Sequence, residues 1–189
     1  MKILVAGVGN VFLGDDGFGV EVARRMAGTE LPEGVDVGDF GIRGIHLAYE
    51  LSAYDTTILV DATPRGEPPG SLYALELEEG EPQAVVDAHG MTPDAVLDLV
   101  AVVGGEMRRV LLVGCEPADV SPGMELSAPV SAAVEPAVRL VHDLIEELIQ
   151  EETHAQESDH RGVSRGGGGG GRAVAAGHRP VSEDQRDVT

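Results

Sequence analysis

The stretch Met1 to Gly19, MKILVAGVGNVFLGDDGFG, leaves few folds open to this chain. Its apolar run Ile3-Leu4-Val5-Ala6-Gly7-Val8 reads as a buried strand. The run breaks into a Gly-rich turn, Gly7-Val8-Gly9-Asn10, and two adjacent carboxylates, Asp15 and Asp16, stand just before a helical pattern begins. A strand feeding a tight turn and then acids at a helix start is how an α/β protein builds a site, because ligands gather beyond the carboxyl ends of its strands. Such a turn either holds a dinucleotide or supports carboxylates that hold something else.

The dinucleotide fingerprint Gly-x-Gly-x-x-Gly needs its third glycine so that the helix packs closely on the strand. Here Gly7 and Gly9 are followed by Phe12 at that place, and further residues, Leu13 among them, separate the turn from the helix. Asp39, at the end of the second strand, is the feature that keeps nucleotide binding open. The carboxylates are the better lead.

The rest of the chain supplies the frame. Val20, Val22, Ala23 and Met26 share one side of a first helix that ends by Gly28. A second strand alternates over Val35 to Phe40, and the turn Gly41-Ile42-Arg43-Gly44 leads into a second helix, Ile45 to Leu51. Thr56 to Val60 is a third strand that terminates in Asp61. The loop Thr63 to Gly70 is too short and too Pro-rich for a crossover helix, so the fourth strand, Ser71 to Leu77, should run antiparallel to the third, at or near an edge. A third helix starts at Thr92-Pro93. The last strand covers Arg109 to Gly114, and a final helix runs from about Pro129 to Gln150. This order predicts an α/β fold: a three-layer α/β/α sandwich around a mixed five-stranded sheet with one antiparallel strand.

Composition narrows the partners. A chain of 189 residues has room for one domain with a full core, and its net charge of −20 argues against nucleic acid or an anionic membrane as partner. From Thr153 to Thr189 there is no Leu, Ile, Met, Phe, Trp or Tyr, and Gly166 to Gly171 is an unbroken glycine run. Such a segment cannot bury enough apolar surface to offset its ordering entropy. The domain is therefore expected over 1–152, with 153–189 a disordered tail. The single cysteine, Cys115, excludes an internal disulfide framework and points to a reducing compartment. The apolar run at the N-terminus is too short for a signal peptide, and none reaches the length of a membrane span, so a cytoplasmic location is expected.

Three polar residues follow strand ends or Gly-marked turns. Asp16 follows strand one, Asp61 ends strand three, and His89 precedes the third helix. If strands one and three are neighbours, their carboxyl ends bring Asp16 and Asp61 together, with His89 over the same edge. Two carboxylates and an imidazole suit a divalent transition metal with open positions left for water or substrate. Taken singly, each has a plain alternative: Asp16 complementing a helix N-terminus, Asp61 capping a turn, His89 as an ordinary loop residue. Cys115 reads as a buried strand-end residue rather than a nucleophile.

With these residues in view, residues 1 to about 150 resemble the [NiFe] hydrogenase maturation proteases, which trim the large subunit of those enzymes. The resemblance rests on Ile3 to Asn10, on Leu13-Gly14-Asp15-Asp16-Gly17-Phe18-Gly19-Val20 and on Leu59-Val60-Asp61-Ala62. His89-Gly90-Met91, Gly114-Cys115-Glu116-Pro117 and Gly123-x-x-Leu126-Ser127 continue it. It implies a three-layer sandwich of the phosphorylase/hydrolase-like kind and an endopeptidase, aspartic or metal-dependent, with Asp16, Asp61 and His89 as the metal-binding and catalytic set. It also implies nickel, carried by the substrate, or another divalent metal. The partner it implies is the precursor of a hydrogenase large subunit, processed by a monomer. The turn containing Asp39, Gly41 and Arg43 matches a family loop thought to face the substrate, with the usual Gly-Gly-Thr-like sequence replaced. Asp16 stands where Glu is frequent, one methylene shorter. The competing class is a non-catalytic metal- or nucleotide-binding module of the same architecture.

Overall fold

The computed structural model describes residues 1–77 and 108–163; of residues 44–45 and 157–163 it describes the backbone alone. The chain divides into two compact units, Met1–Thr153 and His154–Thr189. The elements among the described residues, in order, are β1 (Ile3–Val8), a short 3-10 helix (Gly14–Gly17) and α1 (Phe18–Met26). Then come β2 (Val35–Gly41), α2 (Gly44–Leu51), β3 (Thr56–Ala62), β4 (Leu72–Leu77), β5 (Arg109–Cys115) and α3 (Ala128–Val163). The third helix expected from Thr92, and His89 before it, lie outside the described residues.

The strands form one sheet in the order β2-β1-β3-β5-β4. The pairs β1–β2, β1–β3 and β3–β5 are parallel, and β4–β5 is antiparallel. The fourth strand is thus the antiparallel edge strand the short Pro-rich loop demanded. Its hydrogen-bonding partner is β5 and not β3, because β5 enters between them.

The apolar runs explain the layering. Both β1 and β3 are buried at every position, and successive side chains on a strand point to opposite faces. Ile3 and Val5 of β1 and Ile58 and Val60 of β3 therefore join one core, with Phe18, Val22 and Met26 of α1. Val130, Val134, Val141 and Ile145, one stripe of α3, complete it. Leu4, Ala6 and Val8 with Leu59 join a second core on the other face, with Leu47, Ala48 and Leu51 of α2. A central sheet covered on both faces by helices is the three-layer sandwich.

The final helix runs past its expected end at Gln150, to Val163. Residues 151–163 lack the apolar stripe, but their Glu, Gln, Ala and Arg are adequate helix formers. Extending an existing helix avoids the cost of nucleating a new one. The remainder of the expected tail, from residue 164, lies outside the described residues.

Candidate active site

The parallel strands β1, β2, β3 and β5 all end at one edge of the sheet, and the polar residues of interest gather there. Glycines allow the close approach. A Cβ on Gly19 would fall 2.0 Å from the Val60 carbonyl oxygen and 2.5 Å from that of Val8, and one on Gly7 would fall 2.2 Å from the Gly19 carbonyl oxygen. The start of α1 therefore lies directly on β1 and β3. Gly19 performs, at longer range, the packing that the third glycine of a nucleotide fingerprint would have performed.

Gly9 has φ 120°, and a Cβ there would sit 1.8 Å from the Asp16 carbonyl oxygen and 3.7 Å from Asp61 Oδ1. The turn is thus folded tightly against the backbone of Asp16, with the Asp61 carboxylate beside it. The Asn10 amide donates to Asp16 Oδ2 at 2.7 Å, which fixes that side chain beyond the end of β1. Asp16 is partly exposed, and Asp61, near the end of β3, is 5% exposed. Asp61 accepts from the Ala62 amide at 2.8 Å and from the Thr63 hydroxyl at 3.2 Å. Burial first, and the neighbouring charge of Asp16 second, push the Asp61 carboxyl well above the usual carboxylate range, against those two hydrogen bonds. The sheet thus brings Asp16 and Asp61 together through the β1–β3 pairing. His89 lies outside the described residues. Among the described residues no group of three His, Cys, Asp or Glu side chains is placed to hold a metal ion. The two acids could supply the oxygen ligands of such a set, since the Asp16 charge is near enough to raise the Asp61 carboxyl.

The second turn reaches the same edge. The Gly9 amide donates to the Gly41 carbonyl at 3.1 Å, and Gly41 has φ 53°. Asp39 forms an ion pair with Arg24 at 3.2 Å. Arg43 turns back on its own loop, donating to the carbonyls of Phe40 (3.1 Å) and Asp39. The two charged residues expected to face a substrate, Asp39 and Arg43, are thus engaged in holding the loop's shape beside Gly9.

Three further residues shape this edge, and sequence reasoning gave them no role. Asp15, fully buried, accepts four hydrogen bonds from the loop after β5. The donors are the amides of Ala118 (2.8 Å), Asp119 (2.9 Å) and Ser127 (2.6 Å) and the Ser127 hydroxyl (2.8 Å). Burial pushes its pKa up, but these bonds outweigh burial and hold it below the ordinary value. Glu116, also buried, accepts from the amides of Arg65 (2.6 Å) and Gly66 (3.2 Å) and so ties down the loop after β3. The Tyr73 hydroxyl donates to the Thr63 carbonyl at 2.9 Å, while its ring occupies the space where a Gly114 Cβ would be, 2.1 Å away. The partners of Asp15 lie 103 to 112 residues away in sequence, so no local pattern announces them. Cys115 is buried, and its thiol is pushed up to about 12 by burial and by the charges of Asp15 and Glu116. Its burial fits the strand-end core residue expected from the sequence.

Comparison with known proteins gives a consistent result. The HycI hydrogenase maturation protease family matches residues 20–144. The hydrogenase expression/formation protein HupM of Azotobacter chroococcum mcd 1 is 34% identical over 145 residues, covering 74% of this chain and 69% of that protein. The hydrogenase 2 maturation protease of Escherichia coli K12 is 30% identical over 145 residues, covering 75% and 88%. Among solved structures, the hydrogenase maturating endopeptidase HybD from E. coli superposes with a TM-score of 0.68 at 30% identity, over 78% of this chain and 93% of that one.

Proposed function

This chain belongs to the hydrogenase maturation protease family, and from that premise we propose that it removes a short C-terminal peptide from the nickel-loaded precursor of a hydrogenase large subunit. The observation that carries the reading is the buried Asp61 beside Asp16 at the carboxyl edge of the sheet. The Asp16 charge disfavours ionisation of Asp61, and a cation arriving between the two relieves that repulsion. Asp16, Asp61 and His89 engage the nickel of the substrate, so that a loaded precursor is held in register and an unloaded one is not. Asp39, Gly41 and Arg43 belong to the loop that faces the substrate.

Water then attacks the scissile carbonyl carbon, the C–N bond breaks, and the proton released by the water passes to the departing amine. The carboxylate pair is the base that carries it. Holding the bond beside the pair adds rate through orientation. On this reading the nickel serves recognition and the carboxylates serve the chemistry, an aspartic type of hydrolysis. Residues 1–152 carry the activity, the chain works as a cytoplasmic monomer, and 153–189 is dispensable for cleavage.

The test is to mix the protein with nickel-loaded and nickel-free precursor and to weigh the large subunit. Loss of a C-terminal peptide from the loaded form alone is expected. Cleavage by Asp16→Ala or His89→Ala at the wild-type rate would sink the assignment.

A further inference from the structure

Six large apolar side chains are exposed among the described residues: Met1, Phe12, Ile42, Tyr49, Val120 and Met124. Singly, exposed apolar residues need no explanation. Their distribution does, because four of the six stand on loops at the carboxyl edge of the sheet. Phe12 follows β1, Ile42 follows β2, and Val120 and Met124 follow β5. Phe12 is 63% exposed and Met124 74%.

These loops are bonded to one another. The Gly123 amide donates to the Phe12 carbonyl at 2.9 Å, and the Gly14 amide donates back to Gly123 at 3.0 Å. Phe12 and Met124 are therefore carried on adjoining backbones. The Asp15 amide donates to the Asp119 carbonyl at 2.9 Å, and the buried Asp15 carboxylate takes the amides of Ala118 and Asp119, which fixes the backbone beside Val120. Ile42 follows Gly41, whose carbonyl is held by Gly9. Apolar side chains displayed on so firmly anchored a backbone bring little backbone freedom that binding would have to remove.

Resting on the peptidase reading above, we infer that Phe12, Val120 and Met124, with Ile42 across the Gly9 turn, form a docking rim for an apolar stretch of the precursor polypeptide next to the cut. The rim adjoins the turn that carries Asp16, so it lies beside a chain presented to that carboxylate. The occupant lacks carboxylates: Asp119 and Glu125 share the rim's loop, and the whole chain carries a net charge of −20. The rim contributes binding common to ground and transition states, and so governs KM and leaves kcat nearly untouched.

The experiment is steady-state cleavage of the nickel-loaded precursor by the full chain and by the double variant Phe12→Ser/Met124→Ser, with Tyr49→Ser on α2 as the control. Burial of two such side chains predicts a KM raised about tenfold or more, with kcat within about twofold. Tyr49→Ser should leave both constants unchanged. Far-ultraviolet circular dichroism and thermal melting verify that the variants are folded. A double variant with wild-type KM overturns the inference, as does one whose kcat alone falls. If ultracentrifugation shows that the wild type self-associates and the double variant does not, while KM stays the same, the rim is a contact between copies and the inference also fails. Failure of the wild type to cut any loaded precursor would instead overturn the peptidase reading, so the two failures are distinguishable.

Discussion

Asp15 and Asp61 are buried carboxylates at the same edge of one sheet, and their surroundings treat them in opposite ways. Asp15 is met by four donors, three of them backbone amides, and the bonds hold its pKa down although burial alone would raise it. Asp61 is met by two among the described residues, has the charge of Asp16 beside it, and is held well above its ordinary value. A buried carboxylate saturated with donors is a fastener, because everything its oxygens can accept is already supplied. One left short of donors and set beside a like charge keeps capacity for a cation or a proton, at a cost in stability. The contrast separates structure from chemistry between residues of the same type.

The largest effect that would test this contrast is on cleavage. Asp61→Asn should lower the rate of precursor processing by at least about a hundredfold, since general-base catalysis contributes on that order or more. The same variant should unfold within about 1 kcal/mol of wild type, because replacing an unfavourably placed buried charge by a neutral isostere is often neutral or stabilising. Mass spectrometry of the large subunit and urea titration read the two quantities separately. Next in size comes the mirror image. Asp15→Asn can keep its oxygen for the three donors now on Oδ2, but it sets its NH2 against the Ser127 amide on Oδ1 and gives up the charge on the other bonds, which should cost about 3 kcal/mol in the same titration. If Asp61→Asn proves the more destabilising of the two, the division between fastener and working group is wrong.

Much of the frame was legible in the sequence, and for a clear reason. Uninterrupted apolar runs such as Ile3–Val8 and Ile58–Val60 must be covered on both faces, and short Pro-rich loops cannot cross over. The sheet, its one antiparallel strand and the meeting of Asp16 with Asp61 follow from those two facts. The neighbour of β4 did not follow, because strand order depends on where β5 inserts, and nothing local to Ser71–Leu77 records that. Asp15 was visible beside Asp16 as an acid at a helix start, yet its role was not, since its donors lie on a loop more than a hundred residues later. Glu116 and Tyr73 were hidden for the same reason. Gly19 is an intermediate case. A glycine inside an apolar helix face is conspicuous, but only the structure shows the two carbonyls it admits.

That glycine supplies the third prediction. Gly19→Ala would push a methyl to 2.0 Å from the Val60 carbonyl oxygen, and backbone cannot yield as a flexible side chain can. The helix must move off β1 and β3, at a cost of about 1–3 kcal/mol, and the Asp16 turn moves with it. Cleavage should therefore fall along with stability. The variant joins the two halves of the contrast that the Asp15 and Asp61 variants separate.

The smallest effect to be sought concerns Cys115, which stands on the seam between the two carboxylates. It pairs in register with Ala62, next to Asp61, and its pKa is pushed up to about 12 by burial first and then by the charges of Asp15 and Glu116. At pH 8 only about one thiol in ten thousand would then be thiolate, the reactive form, and the native chain should resist alkylation. It holds the only cysteine in the sequence, so the label reports a single site. Unfolding the chain should restore ordinary reactivity. Asp15→Asn, by releasing the loop that covers this strand end, should speed labelling at sub-denaturing urea, whereas Asp61→Asn should leave it at the wild-type rate. Equal acceleration by both would mean that the edge opens as one body and that the two carboxylates do not define separate regions.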